Sequence, residues 1–155
     1  MARGRPPKPT AQKKLAGNPG KRKLNNDEPD YDPITSVDAP DYLDDLARGA
    51  WEHYAPLLCG QSVLTNGDLH NLEIFCMAYS GFRRSHLEAA GQITLMQDNG
   101  TVKKHPALGA ANEFANQMRT FGAMLGLSPA DRSKIFTPKT KTPDGPLAKI
   151  MEMMS

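Results

Sequence analysis

Proline placement limits where this chain can fold. Of its 13 prolines, seven lie at or before Pro40 and three at or after Pro138. Proline removes a backbone donor and breaks helices and central strands, so dense proline favours extended chain over packed structure. A foldable core is therefore expected at 40–136. A flexible basic arm and acidic linker precede it (1–39), and a flexible tail follows (137–155). A core of that size folds alone with little margin, so self-association would help it.

The charges in the first region are sorted. Arg3, Arg5, Lys8, Lys13, Lys14, Lys21, Arg22 and Lys23 stand in the first 24 residues without an acidic neighbour. From Asn25 to Asp45 the order reverses: Asp27, Glu28, Asp30, Asp32, Asp38, Asp41, Asp44 and Asp45 stand without a basic one. The whole chain carries only +2, but a polyanion meets the arm and not the average. Nucleic acid is the leading partner on this ground. A second reading takes the acidic segment as the active part, engaging a basic protein partner in a small regulatory module.

Inside the core the periodicity is helical. Leu43, Leu46, Ala47, Ala50, Trp51, Tyr54 and Leu58 recur at helix spacing, with Asp41 as the expected cap, Pro56 expected to bend or end the helix near its last turn, and Gly60 expected to break it. Thr65 and Asp68 mark the start of a longer helix reaching about Ala90, apolar on several faces. Leu69, Leu72, Cys76, Tyr79, Arg83 and Leu87 form its main stripe. Ile93–Met96 and Thr101–Lys104 flank Asn99-Gly100, a hairpin signal. A lone hairpin is marginal in water, so this one is expected to rest on the helices or pair with a neighbouring chain. Pro106 suits the first turn of a third helix, Gly126 its C-terminal cap, and Ser128 the cap of a short fourth helix reaching about Ile135. The fold class is mainly α: a compact helical core with one short β-hairpin between flexible tails.

Few patterns for chemistry are present. Cys59 and Cys76 lie in apolar contexts and read as free thiols in a reducing compartment. No CxxC or HxxxH spacing offers a metal site. His53, His70, His86 and His105 have no nucleophile or paired carboxylate beside them in sequence, and no nucleotide loop is present. The reading expects no catalytic residues, no cofactor and no metal. No secretory leader or spanning segment is evident, so a cytoplasmic location is expected.

Binding patterns are richer. Arg3-Gly4-Arg5-Pro6 suits a narrow minor groove or plain phosphate contact. Gly17-Asn18-Pro19-Gly20 forms a turn in front of Lys21, Arg22 and Lys23, where the amides of Gly17 and Gly20 are candidates to approach phosphates. Arg83, Arg84, Lys103 and Lys104 are candidate DNA-facing cations of the core. Leu147, Ile150, Met151 and Met154 have i, i+3, i+4, i+7 spacing, too short for an isolated helix but suited to a partner's groove.

Arg3-Gly4-Arg5-Pro6-Pro7-Lys8-Pro9-Thr10 followed by Leu15-Ala16-Gly17-Asn18-Pro19-Gly20-Lys21-Arg22 resembles the N-terminal signature of a family of tailed-bacteriophage terminase small subunits. Ala39-Pro40, Leu43, Trp51, Pro56-Leu57, Leu64-Thr65, Asp68, Tyr79 and Gly91 are similar to its later pattern. The resemblance implies a non-catalytic subunit for viral genome packaging in the host bacterial cytoplasm. It would form a ring-shaped homo-oligomer, bind double-stranded viral DNA and recruit or regulate the large ATPase-nuclease subunit. The resemblance runs to about Ile135, so the assignment of Leu147–Met154 as the segment that docks on that subunit rests on its apolar spacing alone.

Overall fold

A computed structural model describes residues 10–21, 23–25, 31–133 and 135. In order these hold α1 (Thr10–Leu15), α2 (Asp45–Gly60), α3 (Leu69–Ala89), β1 (Thr94–Met96), β2 (Val102–Lys104), α4 (Pro106–Met124) and α5 (Pro129–Arg132). The class is mainly α with one antiparallel hairpin, as expected.

The core forms where α2 lies on α3. Ala47, Ala50, Trp51, Ala55 and Leu58 place one face of α2 against Leu72, Phe75 and Cys76 of α3. Leu64, in the connection between them, and Leu125, just past α4, are fully buried. The small residues of α2 let the helices approach, while burying each large apolar side chain is worth about 1.5–3 kcal/mol. α4 runs back along α3 and makes its most extensive helix contact. That contact is close because Gly81 carries no side chain. A Cβ there would stand 2.6 Å from Cζ of Phe114.

Three boundaries differ from expectation. Asp44, not Asp41, caps α2: its carboxylate accepts from the Ala47 N–H at 2.9 Å. Pro56 does not end α2, which continues to Gly60. Glu52, whose carbonyl the proline leaves without its helical donor, is exposed, as is Pro56 itself. Water can therefore satisfy the carbonyl. α5 stops at Arg132, short of Ile135. The stripe expected on α3 also splits, because Leu72 and Cys76 are buried whereas Leu87 is exposed.

Packing also reaches back past the expected boundary at Pro40. Ile34 and Val37 lie against the core. Ile34 N–H donates to the Leu64 carbonyl at 2.8 Å. The Trp51 indole N–H donates to the Val37 carbonyl at 3.3 Å. An isolated bridge pairs Pro33 with Thr65. Ile34 and Val37, with Ala39, supply the anchorage, and Asp32 and Asp38 stay exposed.

The hairpin pairs Thr94 with Lys104, Leu95 with Lys103 and Met96 with Val102. Gly100 N–H donates to the Gln97 carbonyl, and Gln97 N–H to the Thr101 carbonyl, both at 2.8 Å. Gly100 has φ of 76°, so the loop is a turn closed by a left-handed residue rather than a two-residue turn. Both faces of both strands are exposed. The hairpin therefore does not rest on the helices.

Candidate nucleic-acid interface

The described part of the basic arm is organised by α1 and its exit. Gly17 N–H donates to the Lys14 carbonyl at 3.0 Å and Asn18 N–H to the Lys13 carbonyl at 2.9 Å. These are the two bonds of a Schellman cap, with Gly17 at φ of 72° in the left-handed position that glycine tolerates best. Pro19 cannot continue a helix, and Lys21 N–H then donates to the Asn18 carbonyl at 2.8 Å, closing a turn. Helix, cap and turn form one unit. It carries Lys13 and Lys14 in the last turn of α1 and Lys21 and Lys23 after the turn.

The geometry revises one expectation. The Gly17 amide is not free for a phosphate, because it is committed to the cap. The glycine sets the chain reversal, and the lysine side chains carry the charge. Lys14, Lys21 and Lys23 are exposed and Lys13 is half-buried. Arg3, Arg5, Lys8 and Arg22 lie outside the described residues.

The other candidate cations sit on separate elements. Arg83 and Arg84 are exposed near the C-terminal end of α3, and Lys103 and Lys104 on β2. Consecutive strand residues face opposite ways, so the two lysines belong to opposite faces of the hairpin. Arg84 is already engaged, with its guanidinium 3.2 Å from the Asp44 carboxylate. Ser80, buried on α3, donates to the same carboxylate at 2.7 Å. Asp44 thus caps α2 and clamps it to α3. The Ala47 N–H, then Ser80 and Arg84, hold its carboxyl below the usual range against the opposing pull of desolvation. Its position three residues before Ala47 is the sequence signal for the cap. Nothing in the local pattern indicates the partners on α3.

His105 caps α4, its Nδ1 accepting from Ala107 N–H at 3.2 Å. His53, His70 and His86 are exposed. Burial pushes the Cys76 thiol up to about 12 and raises that of Cys59, so neither is poised as a nucleophile. Among the described residues no group of three or more His, Cys, Asp or Glu could hold a metal ion. No described helix is long and apolar enough to cross a membrane.

One feature had no signal in the sequence. An apolar groove of about 880 Å³ opens where α2, α3, α4 and α5 converge. Its walls include Tyr54, Leu57, Phe75, Met118 and Leu127. Tyr54 and Phe75 meet edge to face with centroids 5.0 Å apart. Leu147, Ile150, Met151 and Met154, the segment assigned to a partner, lie outside the described residues.

A family model described as phage terminase, small subunit, matches residues 47–142. The match spans α2 to α5 and leaves the arm, with its cap and turn, outside. No curated protein and no solved structure gives a significant match.

Proposed function

The chain belongs to the phage terminase small-subunit family, and from that premise we propose that it is the non-catalytic DNA-binding subunit of a genome-packaging terminase. In this reading it assembles into a ring-shaped homo-oligomer in the host bacterial cytoplasm and holds double-stranded viral DNA through its basic arm. It recruits or regulates the large ATPase-nuclease subunit through Leu147–Met154.

The observation that carries the DNA-binding part is the cap-and-turn unit. Four lysines lie on a short structured element rather than along a featureless tail, so less ordering entropy is lost when they meet phosphates. In the sequence Arg3, Arg5 and Lys8 precede it and Arg22 stands between Lys21 and Lys23. Arg83, Lys103 and Lys104 are exposed second contributors from the core. The exposed hairpin, with free edges and apolar Ile93, Met96 and Val102, suits subunit pairing.

Salt-dependent DNA binding tests the reading. Eight cations on eight phosphates give a log–log salt slope of up to about −7, and each lost contact removes about 0.9. Replacing Lys13, Lys14, Lys21 and Lys23 by Ala should flatten the slope by about 3–4. An unchanged slope would remove the four cap-and-turn lysines from the interface, and an unchanged slope after deletion of residues 1–24 would move the interface to the core. Light scattering on the full chain should show a multimer, and a monomer at working concentrations would remove the ring.

A further inference from the structure

We propose that the apolar groove at the junction of α2, α4 and α5 is the resting dock of the chain's own Leu147–Met154 segment. The segment is then masked until the large subunit draws it away. This rests on the reading that the same segment is the large-subunit contact.

The groove is built to accept side chains. Gly122, Ala123 and Gly126 line it with little bulk, while Leu57, Phe75, Met118 and Leu127 supply apolar walls. Leu57 is 54% exposed although it faces this cavity. The volume, about 880 Å³, falls in the range of sites that enclose a ligand of several side chains.

The path of the chain identifies the occupant. Ile135 lines the groove, close against Gly126, so the chain is delivered to the groove's edge. From there 11 residues, 136–146, lead to Leu147. Fully extended they span up to about 36 Å, ample for a return to a site that starts at Ile135. Leu147, Ile150, Met151 and Met154 have the i, i+3, i+4, i+7 spacing that an apolar groove can take as one face.

Tethering favours this occupant over a free peptide. A tether of 11 residues sets an effective concentration in the millimolar range, so even a weak contact in the groove stays mostly formed. The same weakness lets a tighter partner open it. The large subunit would meet a segment whose apparent affinity is lowered by the closed fraction, by about tenfold.

The test uses the full chain with a small diazirine-bearing aliphatic residue at position 150. Labelled and unlabelled chains are co-assembled, irradiated and mapped by mass spectrometry. Crosslinks to Leu57, Met118 or Leu127 are expected, with both peptides of a pair carrying the same isotope. Leu57→Glu, an exposed position that the fold tolerates, should abolish them and tighten large-subunit binding by about tenfold. Crosslinks elsewhere, none at all, or isotopically mixed pairs, which mark a second copy's groove, would each overturn the proposal. Deleting residues 147–155 separates the two readings. If groove crosslinks form but the deletion leaves large-subunit affinity unchanged, the dock stands and the segment's partner role falls. If the deletion abolishes that affinity but the crosslinks miss the groove, the dock alone falls.

Discussion

Replacing Gly81 by Ala should destabilise this protein although alanine is the better helix former. Gly81 lies inside α3, where Gly→Ala ordinarily gains about 1 kcal/mol. Here the new Cβ would sit 2.6 Å from Cζ and 2.7 Å from Cε1 and Cε2 of Phe114. Carbon–carbon contact is favourable near 3.5–4.0 Å, so the ring must withdraw by about 1 Å or turn away from α3. Overpacking of this kind costs about 1–3 kcal/mol. Phe114 is only half-buried, so its ring has room to yield and the cost stays below the top of that range, at about 1.5–2.5 kcal/mol. The net effect should be a loss of about 0.5–1.5 kcal/mol. In a Phe114→Leu background the clashing ring atoms are gone, and Gly81→Ala should then stabilise by up to about 1 kcal/mol. The implied coupling of about 1–2.5 kcal/mol is measurable by a double-mutant cycle. Urea unfolding followed by far-UV circular dichroism, at one fixed protein concentration because assembly contributes to stability, gives the four values. A higher midpoint for Gly81→Ala in the otherwise unchanged protein, or the same penalty in both backgrounds, would refute the close-approach argument.

Other expectations follow from the same geometry. Asp44→Ala removes the α2 cap and the clamp to Ser80 and Arg84, and should cost about 1–2 kcal/mol in unfolding experiments. Because the folded-state pKa of Asp44 is depressed, its contribution is present above the unfolded carboxylate pKa and is lost as pH falls through the folded one. Asp44→Asn should therefore flatten the acid limb of a stability–pH profile, and an unaltered limb would count against the clamp. Gly17→Val leaves the charge unchanged but strains the left-handed cap, so it should weaken DNA binding several-fold in a filter-binding or anisotropy assay if the cap and turn orient the lysines. Neutralising Asp27, Glu28, Asp30 and Asp32 should tighten non-specific DNA binding at low salt if the acidic stretch competes for the arm, and unchanged affinity would make it a spacer. Cys76 should resist alkylation in the folded protein and react only on unfolding, as mass spectrometry after iodoacetamide treatment would report.

Much of the local architecture was legible because it depends on neighbours in sequence. Pro106 opens α4, Gly126 sits at the left-handed position past its end, and Ser128 caps α5 through the Asp131 N–H. Asn99-Gly100 marks the hairpin, and helical spacing locates α2, α3 and α4. The errors have a common origin. Asp41, Asp44 and Asp45 are equivalent to a local rule, and only Ser80 and Arg84 on α3 single out Asp44. The stretch before Pro40 has the prolines and charges of an extended linker, yet Ile34 and Val37 anchor it to Leu64 and Trp51. Arg84 reads as a free cation until Asp44 is placed beside it.

By itself the sequence determined which segments become α2, α3 and α4, the sorting of charge between arm and strap, and the absence of recognisable catalytic patterns. Capping, turn chemistry and net charge act over a few residues, so they are present in the string. The tertiary structure alone decided which aspartate became the clamp, which arginine was spent on it, how closely α4 approaches α3 at Gly81, and that an apolar groove opens beside Ile135. Each of these depends on residues distant in sequence that meet only when the helices pack, and their distances follow from that packing rather than from local preference.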